Sequence, residues 1–521
     1  DKEASVETEN LSDQYNDLTT QEKDELLEDY KNKGYFQKFN STIVNEKEGD
    51  GILHFDNLYE KPKSVEELLQ EIPLGHLDVN TADKVRQVFR DQSEVMSTHE
   101  WDIPATPLIT AEIRLKPEFR NSCVSCKILQ LPQPVKQEAD KMAEAMAKHG
   151  ILTKRILPSP SVSNFFVIKK KDGTYRGLYD ARPQNIMTKK PQVMLPSVPD
   201  ILQHVSGKTH TSLVDVSNAF FAIPIDPESQ KLFSFFDSKR RQFSFTRACQ
   251  GLKSSPAYLQ ALMNIVLEGH PDVLVYADDC VISTKGTIDD HLKALSRFLE
   301  SLNKAKLKVK PRKVQILSSN IEIVGMVFHK NSMSIPEARV TGFTEWPVPT
   351  TRKKIKSFLC SANYYRRNVI KFAELCEPLL AETRIDHRKK LVWTKTLDKA
   401  FNDIKQAIQN SITCNQPDFS KPFFLSSDAS KTCSSCVIWQ QDEQGNKDYI
   451  GAFSRTFSKS ERNYGIFKRE CLALIGGLSS FDYCLRFAHS IFCYVDAKSI
   501  LYLKSCKNSD YVLIRFSLAL S

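Results

Sequence analysis

The stretch Val273-Leu274-Val275-Tyr276-Ala277-Asp278-Asp279-Cys280-Val281-Ile282 sets two adjacent carboxylates between two apolar, β-branched runs. Each run has the composition of a strand and the polar interruption is short, so the segment predicts a β-hairpin with the Asp pair at its turn. Carboxylates beside a hydrophobic sheet are costly, and a bound divalent cation is one way to relieve that cost. Taken alone, an Asp-Asp turn with both side chains in water would serve as well. Upstream, Asp215 interrupts a second strand-like run, residues 212–223, rich in β-branched and aromatic side chains. Phosphoryl transfer from a nucleoside triphosphate uses two magnesium ions held by carboxylates on neighbouring strands. Asp215 and Asp278 would bridge such ions, with Asp279 the more peripheral ligand.

Working outward, residues 135–149 carry Ala139, Met142, Ala143 and Met146 at helical spacing, and Gly150 stands where a helix C-cap glycine belongs. Residues 165–170 and 175–180 read as a hairpin with the basic tip Lys171-Asp172-Gly173-Thr174. Helical patterns follow at 256–267, 288–304, 352–368 and 397–410, and Pro417 to Pro422 punctuates the passage to a new strand run beginning at Phe423. Beyond that point Asp428 sits in a strand pattern, Glu470 in a helical one and Asp496 in another strand pattern. Singly, each is an ordinary solvated acid.

With 521 residues, 41% of them hydrophobic and 26% charged, the chain exceeds what one core supports and reads as a soluble multidomain protein. No apolar run has the length of a membrane span, and the opening Asp1-Lys2-Glu3 has no signal core, which suggests a piece cut from a larger precursor and active in the cytosol. The net charge of +9 hides an asymmetry: the first hundred residues carry about −13 and the remainder about +22. Residues 1–75 therefore read as an acidic arm, whereas the body, with basic runs at 169–171, 304–313 and 352–354, suits a polyanion partner. Cys123/Cys126 and Cys433/Cys436 have the spacing of half a zinc site but no convincing partner pair nearby, so reduced, partly buried thiols are expected.

The ordered set of Asp215, then Gln250-Gly251-Leu252-Lys253-Ser254-Ser255-Pro256-Ala257, then Tyr276-Ala277-Asp278-Asp279, resembles the catalytic core of reverse transcriptases. Trp346-Pro347-Val348-Pro349, Asn363-Tyr364-Tyr365-Arg366-Arg367 and Pro417-Asp418-Phe419-Ser420-Lys421-Pro422-Phe423 draw the resemblance toward gypsy-like LTR retrotransposons, metavirus-like elements whose Pol polyprotein joins reverse transcriptase to ribonuclease H. It implies an α+β multidomain fold: a right-hand polymerase with fingers, palm and thumb, followed by an α/β ribonuclease H-like domain. Lys170 and Arg176 would grip the triphosphate, Phe220 would be the steric gate against a ribose 2′-hydroxyl, Gln250 and Gly251 would pack beside the incoming nucleotide, and Gly325 would belong to a primer grip, Ile323-Val324-Gly325-Met326. By sequence alone Phe220 is as well explained as a core aromatic in a strand. Ala277 and Ala248-Cys249 depart from the usual gypsy pattern, as does Tyr179-Asp180-Ala181-Arg182-Pro183-Gln184-Asn185.

The same resemblance groups Asp428, Glu470 and Asp496 as ribonuclease H metal ligands. A fourth acidic ligand would come from beyond Ser521, so this domain is expected to be C-terminally incomplete and its cleavage activity impaired. The expected divisions are an arm to 75, an extension over 76–135, interleaved fingers and palm over 136–330, a thumb-like region over 331–415 and the ribonuclease H-like domain over 416–521. Implied partners are RNA and DNA template-primer, RNA-DNA hybrid and deoxynucleoside triphosphates, with Mg2+ as cofactor and Mn2+ as a substitute. A tRNA primer, a homodimer and cytoplasmic virus-like particles are compatible with the family. Two other classes compete: a degenerate element copy surviving as a nucleic-acid-binding protein, and a DNA-only or non-LTR polymerase.

Overall fold

The computed structural model describes residues 62–119, 124–126, 129–169, 175–385 and 390–496. Two compact units are built from interleaved segments. The first takes Glu112–Lys189 and Ile225–Leu252, and the second takes Pro62–Ala111, Lys190–Pro224 and the chain from Lys253 onward.

In the first unit the helix Gln133–Lys148 buries Ala139, Met142, Ala143 and Met146, the positions the periodicity selected. It ends in a Schellman motif, in which the Ile151 amide reaches the Met146 carbonyl at 2.9 Å and that of Gly150 reaches Ala147 at 3.2 Å. The five-stranded sheet runs, edge to edge, Val124–Ser125, Ser161–Ser163, Ser234–Phe236, Gln242–Phe245 and Leu152–Arg155. Beside it Phe165–Lys169 pairs antiparallel with Tyr175–Tyr179, the hairpin expected there, whose tip lies outside the described residues. Phe165 stacks on Phe235 at 4.7 Å and meets Phe245 edge-on, which joins the hairpin to the sheet through buried rings.

The second unit begins within the segment read as an arm. Val65–Gln70 forms a helix opened by a Ser64/Glu67 capping box and buries Leu68 and Leu69, while Val79–Asp91 buries Val85 and Phe89. Residues 1–61 lie outside the described set. Three antiparallel strands follow, with Asp279–Thr284 central between His210–Asp215 and Val273–Tyr276. The helix Ile288–Lys304, also opened by a capping box, covers this sheet with Leu292, Leu295, Phe298, Leu299 and Leu302, each worth roughly 1.5–3 kcal/mol when fully buried. The strand expected over 212–223 ends at Asp215. Asn218 there adopts φ 49°, and Ala219–Ala222 turns into a short 3-10 helix.

One polar residue on that covering helix is buried completely. His291 sits between the strands with Nε2 2.7 Å from the Ser212 hydroxyl and Nδ1 2.8 Å from the Thr284 hydroxyl, while Ser212 accepts from the Leu317 amide at 2.9 Å. Burial, aided by His210, lowers its pKa from 6.5 to about 4. Because the folded value lies below the unfolded one, the stability this neutral ring supports is fully present above pH 6.5 and lost as pH falls toward 4. His291→Gln removes the titration, so its stability deficit against wild type should shrink by about 2 kcal/mol between pH 7 and pH 5 in urea unfolding. A deficit that stays constant across that range would mean that His291 is not the acid-sensitive group.

Farther on, a four-stranded sheet orders Ile321–Ile323, Met326–Phe328, Ser332–Ser334 and Cys414–Asn415. Helices Arg352–Asn363, Phe372–Thr383 and Lys395–Gln409 pack in series beside it around Phe343, Phe358 and Phe401. The helix expected to run to 368 stops at Asn363 and continues as a 3-10 turn, Arg366–Asn368. The last sheet orders Lys447–Thr456, Cys433–Gln441, Phe423–Ala429 and Ile491–Tyr494, with the final pair parallel and the helix Ile466–Ser480 across it. Cys433 and Cys436 are buried free thiols three residues apart on one strand, a spacing that turns them to opposite faces. Among the described residues no helix is long and apolar enough to cross a membrane.

Candidate active site

Tyr276 and Asp279 pair across the hairpin, which leaves Ala277 and Asp278 as a two-residue loop. Ala277 takes φ 56°, as the first position of such a loop often requires. Its methyl is the smallest side chain short of glycine, and a β-branched aliphatic group would strain more in that conformation. This gives a physical reason for the alanine that departs from the gypsy pattern.

On its other edge the same strand pairs Asp279 with Asp215, and the Val216 amide donates to the Asp278 carbonyl at 2.9 Å. Asp215, Asp278 and Asp279 therefore converge at one end of one sheet, brought together by register. Burial raises the pKa of Asp278, with Asp215 adding to the effect, and burial with the charges of Asp278 and Asp215 lifts Asp279 to about 6. Lys313 answers part of that charge: its Nζ lies 2.9 and 3.2 Å from the two Asp215 oxygens. It reaches them because Leu213 and Gln315 exchange backbone hydrogen bonds of 2.7 and 2.9 Å, which lays the segment after Pro311–Lys313 along the Asp215 strand. The sequence marked Lys313 only as one member of a basic run.

An all-oxygen donor set with unrelieved negative charge has the chemistry of a magnesium or manganese site. Among the described residues, however, no three His, Cys, Asp or Glu side chains are drawn together tightly enough to hold an ion as they stand. Phe220 follows five positions after Asp215 and lies half-buried in the Ala219–Ala222 turn, so it is not a strand residue. Gly325 occupies the loop between Ile321–Ile323 and Met326–Phe328 with φ 67°.

Arg176, Gln250 and Gly251 belong to the first unit, whereas the carboxylates belong to the second. Arg176 is exposed opposite Ile168, and Gln250 and Gly251 are exposed, with the Gly251 carbonyl accepting from Asn185 at 2.8 Å. Lys170 lies outside the described residues.

In the last sheet Asp428 lies near the end of Phe423–Ala429. The parallel pairing of that strand ends at Ser426 with Tyr494, and Asp496 follows two residues beyond Ile491–Tyr494, in a bend rather than in the strand expected for it. Glu470, on Ile466–Ser480, is 3% exposed, and its Oε2 has no hydrogen-bond partner. Burial raises its pKa, and the charges of Asp428 and Asp496 add to the shift. The three acids thus form one electrostatic group. Lys371, absent from the sequence-based set, pairs with Asp428 from a left-handed residue, φ 56°, at the start of Phe372–Thr383. Residues 497–521, at the end of the ribonuclease H-like domain, lie outside the described residues.

Two family models match the chain. Reverse transcriptase (RNA-dependent DNA polymerase) covers residues 168–328, and the RNase H-like domain found in reverse transcriptase covers 393–492. The chain is 27% identical over 427 residues to the retrovirus-related Pol polyprotein from transposon opus of Drosophila melanogaster, matching 78% of this chain and 42% of that protein. Against the transposon Tf2-3 polyprotein of Schizosaccharomyces pombe it is 28% identical over 322 residues, 61% of this chain and 24% of that protein. It therefore spans less than half the length of these relatives. A foamy viral protease-reverse transcriptase solved with dsDNA aligns with a TM-score of 0.73 at 20% identity, covering 88% of this chain and 93% of that one. The structure of that viral protein with an RNA/DNA hybrid aligns at 0.70 and 19%, covering 88% and 61%. At such identity the likeness is one of fold. Residues 168–328 are thus a reverse transcriptase domain and residues 393–492 the RNase H-like domain associated with it, in a chain similar to the Pol polyproteins of LTR retrotransposons.

Proposed function

We propose that the chain extends a primer by nucleotidyl transfer on RNA and DNA templates, and that the attached domain cuts the RNA strand of RNA-DNA hybrids. The observation that carries the polymerase reading is the register of Asp279 with Asp215, which gathers three acids at one sheet end and leaves two of them with raised pKa values. Asp215, Asp278 and Asp279 would hold two Mg2+ ions, with Mn2+ as a substitute. Those ions would activate the primer hydroxyl and stabilise the leaving pyrophosphate. Asp428, Glu470 and Asp496 would do the corresponding work for RNA cleavage.

The chain's own groups orient the reactants. Lys170 and Arg176 neutralise triphosphate oxygens, Gln250 and Gly251 pack beside the nucleotide, Phe220 excludes a 2′-hydroxyl, and the turn containing Gly325 supports the primer terminus. Template and primer are recognised through backbone shape and base pairing, in keeping with the basic body of the chain. The domain scheme is fingers and palm over 136–330, a thumb-like region over 331–415 and the ribonuclease H-like domain from 416. The natural setting is a processed Pol polyprotein in cytoplasmic virus-like particles.

The deciding experiment is primer extension on an RNA template with purified protein and magnesium. Template-directed product is expected. Measurable hybrid binding without any product would favour the nucleic-acid-binding reading instead.

A further inference from the structure

Val324 and Gly325 form the whole loop between Ile323 and Met326, which pair across it, and both residues have left-handed backbones, φ 52° and 67°. Glycine is at home in such a loop. Valine is not, because its branched Cβ crowds the backbone there, and an outlier of this kind persists only where its surroundings hold it. Two consecutive tyrosines at the end of the helix Arg352–Asn363 supply the hold. The Tyr364 hydroxyl donates to the Val324 carbonyl, and the Tyr365 hydroxyl donates to the Gly325 carbonyl at 3.3 Å.

The two rings meet edge-on at 5.1 Å, and Tyr365 is buried with its ring edge-on to Phe343 at 5.9 Å. This anchors the pair in the same apolar cluster against which Val324 and Tyr276 pack. Tyr276 is the first residue of the Tyr-Ala-Asp-Asp run, and it lies near enough to Tyr364 to add to the rise that burial produces in the Tyr364 pKa. Each peptide unit of the loop thus has its carbonyl tied to a tyrosine, one ring buried and the other, 48% exposed, held edge-on against it, and the latter neighbours the catalytic hairpin.

We propose that Tyr364 and Tyr365 are positioning residues for polymerisation: their paired hydroxyls lock the Val324-Gly325 turn beside the Tyr276 end of the catalytic hairpin, and so set where a primer terminus meets Asp215, Asp278 and Asp279. The inference rests on reading that turn as the primer support. The role needs no contact of either tyrosine with substrate. They act by holding Val324 in the left-handed conformation it would otherwise leave, because a misplacement of about 1 Å at a reacting terminus costs on the order of a hundredfold in rate.

The test is single-turnover incorporation by Tyr364→Phe, Tyr365→Phe and the double variant, which keep both rings and delete only the two hydrogen bonds. The double variant is expected to incorporate a nucleotide about tenfold to a hundredfold more slowly, with the Kd for primer-template changed less than about threefold. Adding Val324→Gly should restore most of the rate, since glycine holds the left-handed turn without a clamp. An unchanged rate in the double variant, or a loss that Val324→Gly does not rescue, overturns the proposal. A photoreactive nucleotide at the primer 3′ end of the wild-type complex separates this from the underlying reading. Crosslinking to residues 324–325 with an unchanged double-variant rate sinks the clamp alone, whereas absence of that crosslink sinks the primer-support reading and the clamp with it.

Discussion

Asp278→Asn is expected to lower primer extension by about a thousandfold or more, while the fold and hybrid binding stay nearly intact. The asparagine keeps the size of the side chain on the two-residue loop. The Val216 amide bonds the Asp278 backbone carbonyl, so the hairpin does not depend on the carboxylate that is lost. Removing one negative charge also lightens the repulsion that raises the Asp279 pKa, so the variant should unfold at the same temperature as wild type or slightly higher. Under the proposed function, binding would be carried by phosphate contacts spread over the basic body and would lose little when one acid is neutralised. Single-turnover extension beside hybrid affinity and a melting curve checks all three. Extension at even a tenth of the wild-type rate would remove Asp278 from the catalytic set.

Phe220→Val should shift nucleotide selection by about a hundredfold toward ribonucleotides, a change of roughly 3 kcal/mol in discrimination, with deoxynucleotide use falling only modestly. Phe220 lies half-buried in a turn that follows the Asp215 strand and begins at the left-handed Asn218. A ring held there can exclude a substituent by bulk without serving as a core residue, and a smaller side chain opens the space. The competing account is that Phe220 merely packs the turn. Under that account truncation lowers stability and the rates with both nucleotide types together, and leaves their ratio unchanged. The ratio of kcat/KM values for the two nucleotide types distinguishes these accounts.

Elements defined by neighbouring residues are legible in the amino-acid sequence itself. The hairpin around Asp278 follows from two β-branched runs flanking a polar pair, and Ile288–Lys304 from apolar positions at helical spacing, because these signals are carried within about a dozen residues. The placement of acids on strands near Asp215 and Asp428 is legible for the same reason, as is the order of motifs that carries the likeness to retrotransposon reverse transcriptases. What tertiary structure alone decides is partnership between distant segments. Lys313 reaches Asp215 across 98 residues and Lys371 reaches Asp428 across 57, each set by a register or helix docking that no local pattern encodes. The early end of the Asp215 strand belongs here too: beyond it the Val216 amide turns to Asp278 and the Ser217 amide to Lys308, bonds to distant backbone that strand propensity cannot anticipate. Likewise, Ala277 becomes intelligible only once its φ of 56° is seen, and Tyr364 and Tyr365 only once their hydroxyls are found on the two carbonyls of a strained turn. Composition and periodicity report which face a residue prefers, whereas the energy of a buried charge or a strained backbone depends on which distant group the fold brings against it.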